Sequence, residues 1–200
     1  MTKKRRLSRL IAQVRHTRGL ARGSALALQV RVMGGHVGKR LVAGPGAWAG
    51  QAPHAGWHIG DDVFLGRGAI LDVAPEGRLV LGDRVKVMHY TVVSAEQSIT
   101  IGDDTQVAEH CSVRDQDHAI DVPGLIASAP LVTTPIAVGS NVWVGRGVAI
   151  LRGARIGDGC VIGANSVVTS GELPADAVCV GAPASFLRAR STDESGPHAT

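Results

Sequence analysis

From Val138 to Val168 an aliphatic residue returns at every sixth position: Val138, Val144, Ile150, Ile156, Ile162 and Val168. Glycine follows directly at Gly139, Gly145, Gly157 and Gly163, and the fifth place of each hexad is small, as Val142, Val148, Ala154, Cys160 and Ser166. The same beat runs earlier through Ile59, Leu65 and Leu71, through Leu81, Val87 and Val93, and through Ile101, Val107 and Val113. A period of six fits neither an amphipathic helix nor an alternating strand. It fits short parallel strands joined by tight turns, with the aliphatic residue inward and the glycine easing the corner. Each hexad then forms one side of a triangular coil. Stacked coils bury a ladder of Ile, Leu and Val and satisfy backbone groups by pairing with the coil above and below. The pattern predicts an all-β solenoid over residues 41–186.

Two places break the beat. Around Ala74–Arg78 extra residues form an external turn. The larger break begins at Arg114 and contains DVPGLIASAPLVTTP, whose three prolines take the chain out of the coil as an excursion loop at about 119–135. Loops that leave a rigid scaffold are where function concentrates. At the lip of this one stands SVRDQDHAI, with Arg114, Asp115, Asp117 and His118 in one short stretch. In the hexad that opens at Val113 the small inward place falls to Asp117. A buried carboxylate is costly without partners, so either the strand has left the coil by then or hydrogen bonds hold Asp117.

Charge divides the chain. The net charge of +4 combines an arm, residues 1–40, holding 11 of the 21 basic residues and no acid, with a remainder of 10 basic and 17 acidic residues. In the arm Leu7, Leu10, Ile11 and Val14 fall at helical spacing among Arg and Lys. Two readings stand: a short helix capping the open end of the solenoid, or a helix lying on an anionic membrane surface. Nucleic acid is disfavoured, since no base-stacking aromatics accompany the charge. Residues 187–200 read as a C-terminal tail. The three cysteines, Cys111, Cys160 and Cys179, form no CxxC pair. Their odd number argues for buried thiols in a reducing cytoplasm. No apolar run is long enough to cross a bilayer, and the start lacks the apolar core of a secretory signal.

The stretch from Ile99 to Phe186 carries ITIGDDTQVAEHCSV, DQDH, PIAVGSNVWVGRGVAILRGARIGDGCVIGANSVVTSG and VGAPASFLR. It resembles the hexapeptide-repeat acyltransferases, in the branch of the galactoside and maltose O-acetyltransferases and related glycan acetyltransferases. The resemblance implies a left-handed parallel β-helix and a homotrimer with the active groove between subunits. It also implies acetyl-CoA or another acyl-CoA as co-substrate, with no bound cofactor and no metal, and a sugar or glycan acceptor. His118 stands where the family places its general base. Gly145 and Ala164 match positions on the acyl-CoA groove, Trp143 a tryptophan beside the active site, and Thr169 and Arg188 positions near the nucleotide end. Ser170 and Ser185 replace basic residues common in the family, and Arg146, Arg152, Arg155 and Arg190 are the available substitutes.

The chemistry suits a histidine. A sugar hydroxyl must lose its proton as it attacks a thioester, and neutral imidazole can take that proton near working pH. A carboxylate on the other ring nitrogen would fix the tautomer. Asp115, Asp117, Asp121 and Glu109 are the candidates, and the sequence leaves the choice open. Three alternatives share the fold: N-acetylation of an amino-sugar, a γ-class carbonic anhydrase-like zinc site built from His89, His110 and His118, and a non-catalytic scaffold that displays the basic arm. His36, His54, His58 and Tyr90 are assigned to surface or packing roles.

Overall fold

The computed structural model describes residues 3–191. A helix, Lys3–Val32, precedes a left-handed parallel β-helix of about six turns. Among the described residues, face A holds seven parallel strands from His36–Val37 to Gly171–Leu173. Face B holds seven from Val42–Ala43 to Ala177–Gly181, with an antiparallel eighth, Ala184–Ala189, folded back on the last. Face C holds six from Trp48–Ala49 to Val167–Val168.

Both sequence ladders point inward. Ile59, Leu65, Leu71, Ile101, Val107, Val113, Val144 and Ile150 are fully buried, as are the small-place residues Val63, Ala69, Thr91, Thr105 and Cys160. Pairing is in register between coils, Leu81 on Ile59, Ile101 on Leu81, Val138 on Ile101 and Ile156 on Val138. Each large inward side chain removed from water contributes about 1.5–3 kcal/mol. The coil starts earlier than the repeat suggests. Its first turn, through His36–Val37, Val42–Ala43 and Trp48–Ala49, lies partly inside the stretch read as arm. Ala43 and Ala49 fill inward places where larger aliphatics signal the later coils, so the beat is faint there. The stretch read as a tail is in part strand, since Ala184–Ala189 pairs with Ala177–Gly181.

The helix covers the open end of the coil, but not with the apolar residues that the sequence singles out. Gly19, Gly23, Ala27 and Val30 are its buried positions, and Ala27 and Val30 join the core around Val37, Leu41 and Trp57. Gly23 lies so close to the coil that a Cβ there would overlap the Leu41 carbonyl oxygen. Leu7, Leu10, Ile11 and Val14 remain exposed, on a part of the helix that reaches beyond the cap.

Two corners are tied by carboxylates. At the A–B corner the Asp61 side chain accepts the Lys39 N–H at 2.7 Å, Asp83 that of Asp61 at 2.7 Å, Asp103 that of Asp83 at 2.8 Å, and Asp158 that of Ser140 at 2.7 Å. Beside them Arg40 pairs with Asp62 and Arg84 with Asp104, and each guanidinium holds its carboxyl below the usual range. At the C–A corner Asp115 is completely buried. Its two oxygens accept the N–H groups of Glu96, Gln97 and Ser98 at 2.7, 2.9 and 2.6 Å. The buried carboxylate at the lip is therefore Asp115. Asp117 is exposed, because the strand has already left the coil.

Two substitutions test this reading. At a free helical surface Gly→Ala gains roughly 0.5–1 kcal/mol. Gly23→Ala is expected instead to lose about 1–3 kcal/mol through the overlap with backbone, seen as a melting temperature lower by roughly 2–4 °C per kcal/mol. Asp115→Ala removes the buried acceptor of three part-buried backbone donors and is expected to cost about 1–3 kcal/mol in denaturant unfolding. Asp117→Ala, which removes an exposed ion pair, is expected to cost under about 1 kcal/mol. Equal losses for the two aspartates would overturn the assignment.

Candidate active site

The excursion is an antiparallel ribbon rather than a loose loop. Gln116–His118 pairs with Leu131–Thr133, placing Gln116 opposite Thr133, Asp117 opposite Val132 and His118 opposite Leu131. Two backbone bonds extend the ladder, Ala119 N–H to Pro130 O at 2.9 Å and Thr134 N–H to Asp115 O at 2.9 Å. A short 3₁₀ turn, Ile126–Ser128, closes the far end. The ribbon leaves the C–A corner between the fourth and fifth coils and holds His118 exposed on its edge.

The His118 ring has a peptide carbonyl as its partner, with Nδ1 3.4 Å from Ala129 O. Nδ1–H donates to that oxygen, which leaves the Nε2 lone pair free to accept a proton. None of the expected carboxylates orients the ring. Asp115 is occupied with residues 96–98. Asp117 accepts from Arg152 Nε at 2.8 Å. Glu109 lies on the B–C corner, 3.7 Å from Arg146, and Asp121 is exposed on the excursion. The Asp117–Arg152 pair fastens the ribbon to the fifth coil. Exposed as it is, it contributes position more than stability.

Beneath the ribbon lies a polar column that the repeat does not announce. The Gln116 amide donates to Ser94 Oγ at 3.0 Å, and the Ser94 hydroxyl donates to Asp72 at 3.4 Å. Gln116 Oε1 is buried with no partner among the described residues. The available signal was spacing: positions 72, 94 and 116 recur every 22 residues, one per coil, and only aligned coils make that spacing visible.

The B–C corner carries the second half. Gly145 is buried against Ala164, whose nitrogen would lie 2.7 Å from a Cβ placed on Gly145, so the glycine lets the two coils close there, while Ala164 is exposed on the corner. Further toward the first coil on the same corner Tyr90 and His110 stack with ring centroids 5.4 Å apart. Both hold left-handed turn positions, with φ of 57° and 58°. Trp143 lies on the adjoining face B, 59% exposed. Arg188 lies on the antiparallel strand at the end of face B, opposite Val178. Thr169 follows the last strand of face C and so shares the C–A corner with His118.

The structure brings Gly145 and Ala164 together and separates them from His118 by the width of face C. Of the substitute cations, Arg146 flanks the groove, Arg152 holds Asp117, Arg155 lies on face A, and Arg190 donates to Gly159 O at 2.7 Å. His89 and His110 lie on the B–C corner and His118 on the C–A corner, so the three do not converge within one chain. Among the described residues no three His, Cys, Asp or Glu side chains group as metal ligands. The thiols are structural. Cys111 donates to Gly145 O at 3.1 Å, and burial pushes it up. Cys160 is pushed up to about 12 by burial and the neighbouring Cys179.

Residues 135–170 match the family model described as bacterial transferase hexapeptide (six repeats). No curated protein matches the chain by sequence. Among solved structures, the hexapeptide-repeat acetyltransferase VCA0836 from Vibrio cholerae, complexed with acetyl coenzyme A, is 27% identical. The match covers 67% of this chain and 71% of that one, with a TM-score of 0.60. AntD, an N-acyltransferase from Bacillus cereus, was solved as a variant with dTDP and coenzyme A. It is 21% identical, covering 78% of this chain and 84% of that one, with a TM-score of 0.68. A further AntD variant, holding dTDP-4-amino-4,6-dideoxyglucose and coenzyme A, is 21% identical over 78% and 83% with a TM-score of 0.60. Residues 135–170 thus resemble the repeats of the bacterial hexapeptide transferases, and the chain shares its fold with these acyltransferase structures.

Proposed function

We propose that the protein is an acyl-CoA-dependent acyltransferase that moves an acyl group, acetyl in the first instance, from acyl-CoA to a hydroxyl of a sugar or glycan. The observation that carries this reading is His118, held on a stiff ribbon with Nδ1 tied to Ala129 O and Nε2 open. Nε2 takes the hydroxyl proton as the oxygen attacks the thioester carbonyl. The tetrahedral intermediate collapses, the C–S bond breaks, the electron pair leaves on sulfur, and the proton passes from the imidazolium to the departing thiolate. Backbone N–H groups at a turn suit the transient oxyanion.

The donor fits the B–C corner. An extended, amide-bearing pantetheine arm can pair with exposed backbone, and the small, exposed Ala164, above the buried Gly145, leaves room for it on this corner. Trp143 is available to flank the thioester, and Arg146 and Arg188 the nucleotide end, while Thr169, on the C–A corner, would reach it only from a neighbouring copy. VCA0836 supports this reading as an acetyltransferase complexed with acetyl coenzyme A. A second reading, N-acylation of an amino-sugar, is favoured by AntD, an N-acyltransferase solved with an amino-sugar nucleotide. It keeps every residue role and changes only the acceptor atom.

His118 and the Gly145–Ala164 groove lie on different corners, so a homotrimer assembles each site from two copies. Exposed apolar residues are in place for such contacts: Ile120 (71%), Leu125 (76%) and Ile126 (56%) on the ribbon, with Trp143 on face B. At the other end, Leu7, Leu10, Ile11 and Val14 form an exposed strip amid basic residues, suited to peripheral contact with an anionic inner membrane surface. Among the described residues no helix is long and apolar enough to cross a membrane.

His118→Ala is expected to keep the circular dichroism of the parent and to lose about 10²–10⁴-fold in transfer. The readout is thiol release from acetyl-CoA with a panel of glycans and amino-sugars; near-normal turnover would refute the assignment. Sedimentation is expected to give three times the 20.7 kDa of the chain, whereas an active monomer would exclude the shared site.

A further inference from the structure

The helix and the first three coils enclose a second groove, of about 550 Å³, on the same B–C corner. Its walls are cationic. Arg15, Arg18 and Arg22 come from the helix, and Arg67 and His89 from the turns of the second and third coils. Phe64 and Pro45 give it an apolar floor. Among the described residues no carboxylate lines it, and Arg15, Arg18 and Arg67 make no ion pair.

Two details show a groove set to donate. Arg22 Nε is fixed on Ala43 O at 2.9 Å, which anchors its guanidinium and leaves the Nη groups available. His89 Nδ1 accepts the Arg67 N–H at 2.9 Å, so its proton sits on Nε2, a donor. On the other two corners Arg40 and Arg84 are paired with aspartates one coil away, and Arg152 with Asp117 of the ribbon. Here four guanidinium groups gather with no counter-charge, at a cost in mutual repulsion that a multivalent anion would relieve. Arginine forks match phosphate oxygens two at a time.

Position narrows the anion. Coils stack about 4.8 Å apart, so Arg67 and His89 lie roughly 10–15 Å along the corner from Gly145. That is the span of a diphosphate and one hexose. A ligand with its phosphates on the arginines would extend its sugar toward the thioester. We infer that this groove holds the diphosphate of the acceptor, and hence that the acceptor is a glycosyl diphosphate. The inference rests on the acyltransferase reading and names the acceptor class for it.

Calorimetric titration of the full chain tests it without turnover. Inorganic pyrophosphate and UDP are expected to bind, and the double variant Arg18→Glu, Arg67→Glu to weaken both by about tenfold or more. Acetyl-CoA affinity is expected to stay unchanged, and Arg67→Gln to give an intermediate loss if the double variant folds poorly. UDP-glucose and farnesyl diphosphate separate the sources: tighter binding of the first marks a nucleotide-linked sugar, of the second a lipid-linked one. Failure of pyrophosphate to bind at millimolar concentration, or equal binding by parent and variants, overturns the inference. So does a parallel loss of acetyl-CoA affinity, which would give the groove to the donor. Because His118→Ala leaves this groove intact, failure here and failure of the acyltransferase reading are distinguishable.

Discussion

Everything in this molecule depends on the register between neighbouring coils. The parallel ladder sets each residue directly over its counterpart, Leu81 over Ile59 and Ile101 over Leu81. Register is held because a one-residue slip would turn the buried aliphatic ladder to solvent. Once it is fixed, the corners become columns as well. A side chain at a corner is then placed by the core beneath it and is free to serve chemistry, because the coil asks of the corner only a turn.

The three columns have diverged accordingly. The A–B corner is structural, with aspartate after aspartate accepting the N–H of the coil before it. The C–A corner receives the insertions, at Gly50–Gly56, at Ala74–Gly77 and at the ribbon, and its one buried carboxylate, Asp115, secures the turn on which the ribbon is founded. The B–C corner changes character along its length, from arginine and histidine near the helix, through the Tyr90–His110 stack, to the small residues Gly145 and Ala164. That gradient is what a groove needs if it is to grip charge at one end and admit an amide-bearing chain at the other.

The coil was legible in the sequence because its signal repeats: no single hexad is persuasive, but the shared phase of Val138, Val144, Ile150, Ile156, Ile162 and Val168 is. What was faint lay where a residue is set by its neighbours in space. Ala43 and Ala49 keep the first coil out of the aliphatic beat. Leu7, Leu10, Ile11 and Val14 have the spacing of a capping face, yet the cap is made by Gly19 and Gly23, because only glycine lets the helix reach the Leu41 carbonyl. The lip shows the same effect. Counting hexads puts Asp117 inside, whereas the chain leaves the coil two residues sooner and buries Asp115. The partner of His118, a peptide carbonyl eleven residues on, has no side-chain signature at all.

The ribbon explains why a stiff scaffold carries its histidine on a projection. Reacting atoms must be held within about 3–3.5 Å for efficient transfer, which favours a rigid base. Yet the coil's own corners face away from one another, so a histidine seated directly on the C–A corner would remain behind the width of face C from Gly145. Extending the corner as a hydrogen-bonded ribbon, tied down by Asp117–Arg152 at its root and by backbone pairing along its length, moves the imidazole outward without making it loose. The same projection carries Ile120, Leu125 and Ile126 into solvent, so in the proposed trimer the contacts seating the ribbon against a second copy would also set the distance from the proposed base to the proposed donor groove. On the proposed reading, assembly and catalysis would both depend on this one element, and loosening the ribbon would weaken both together.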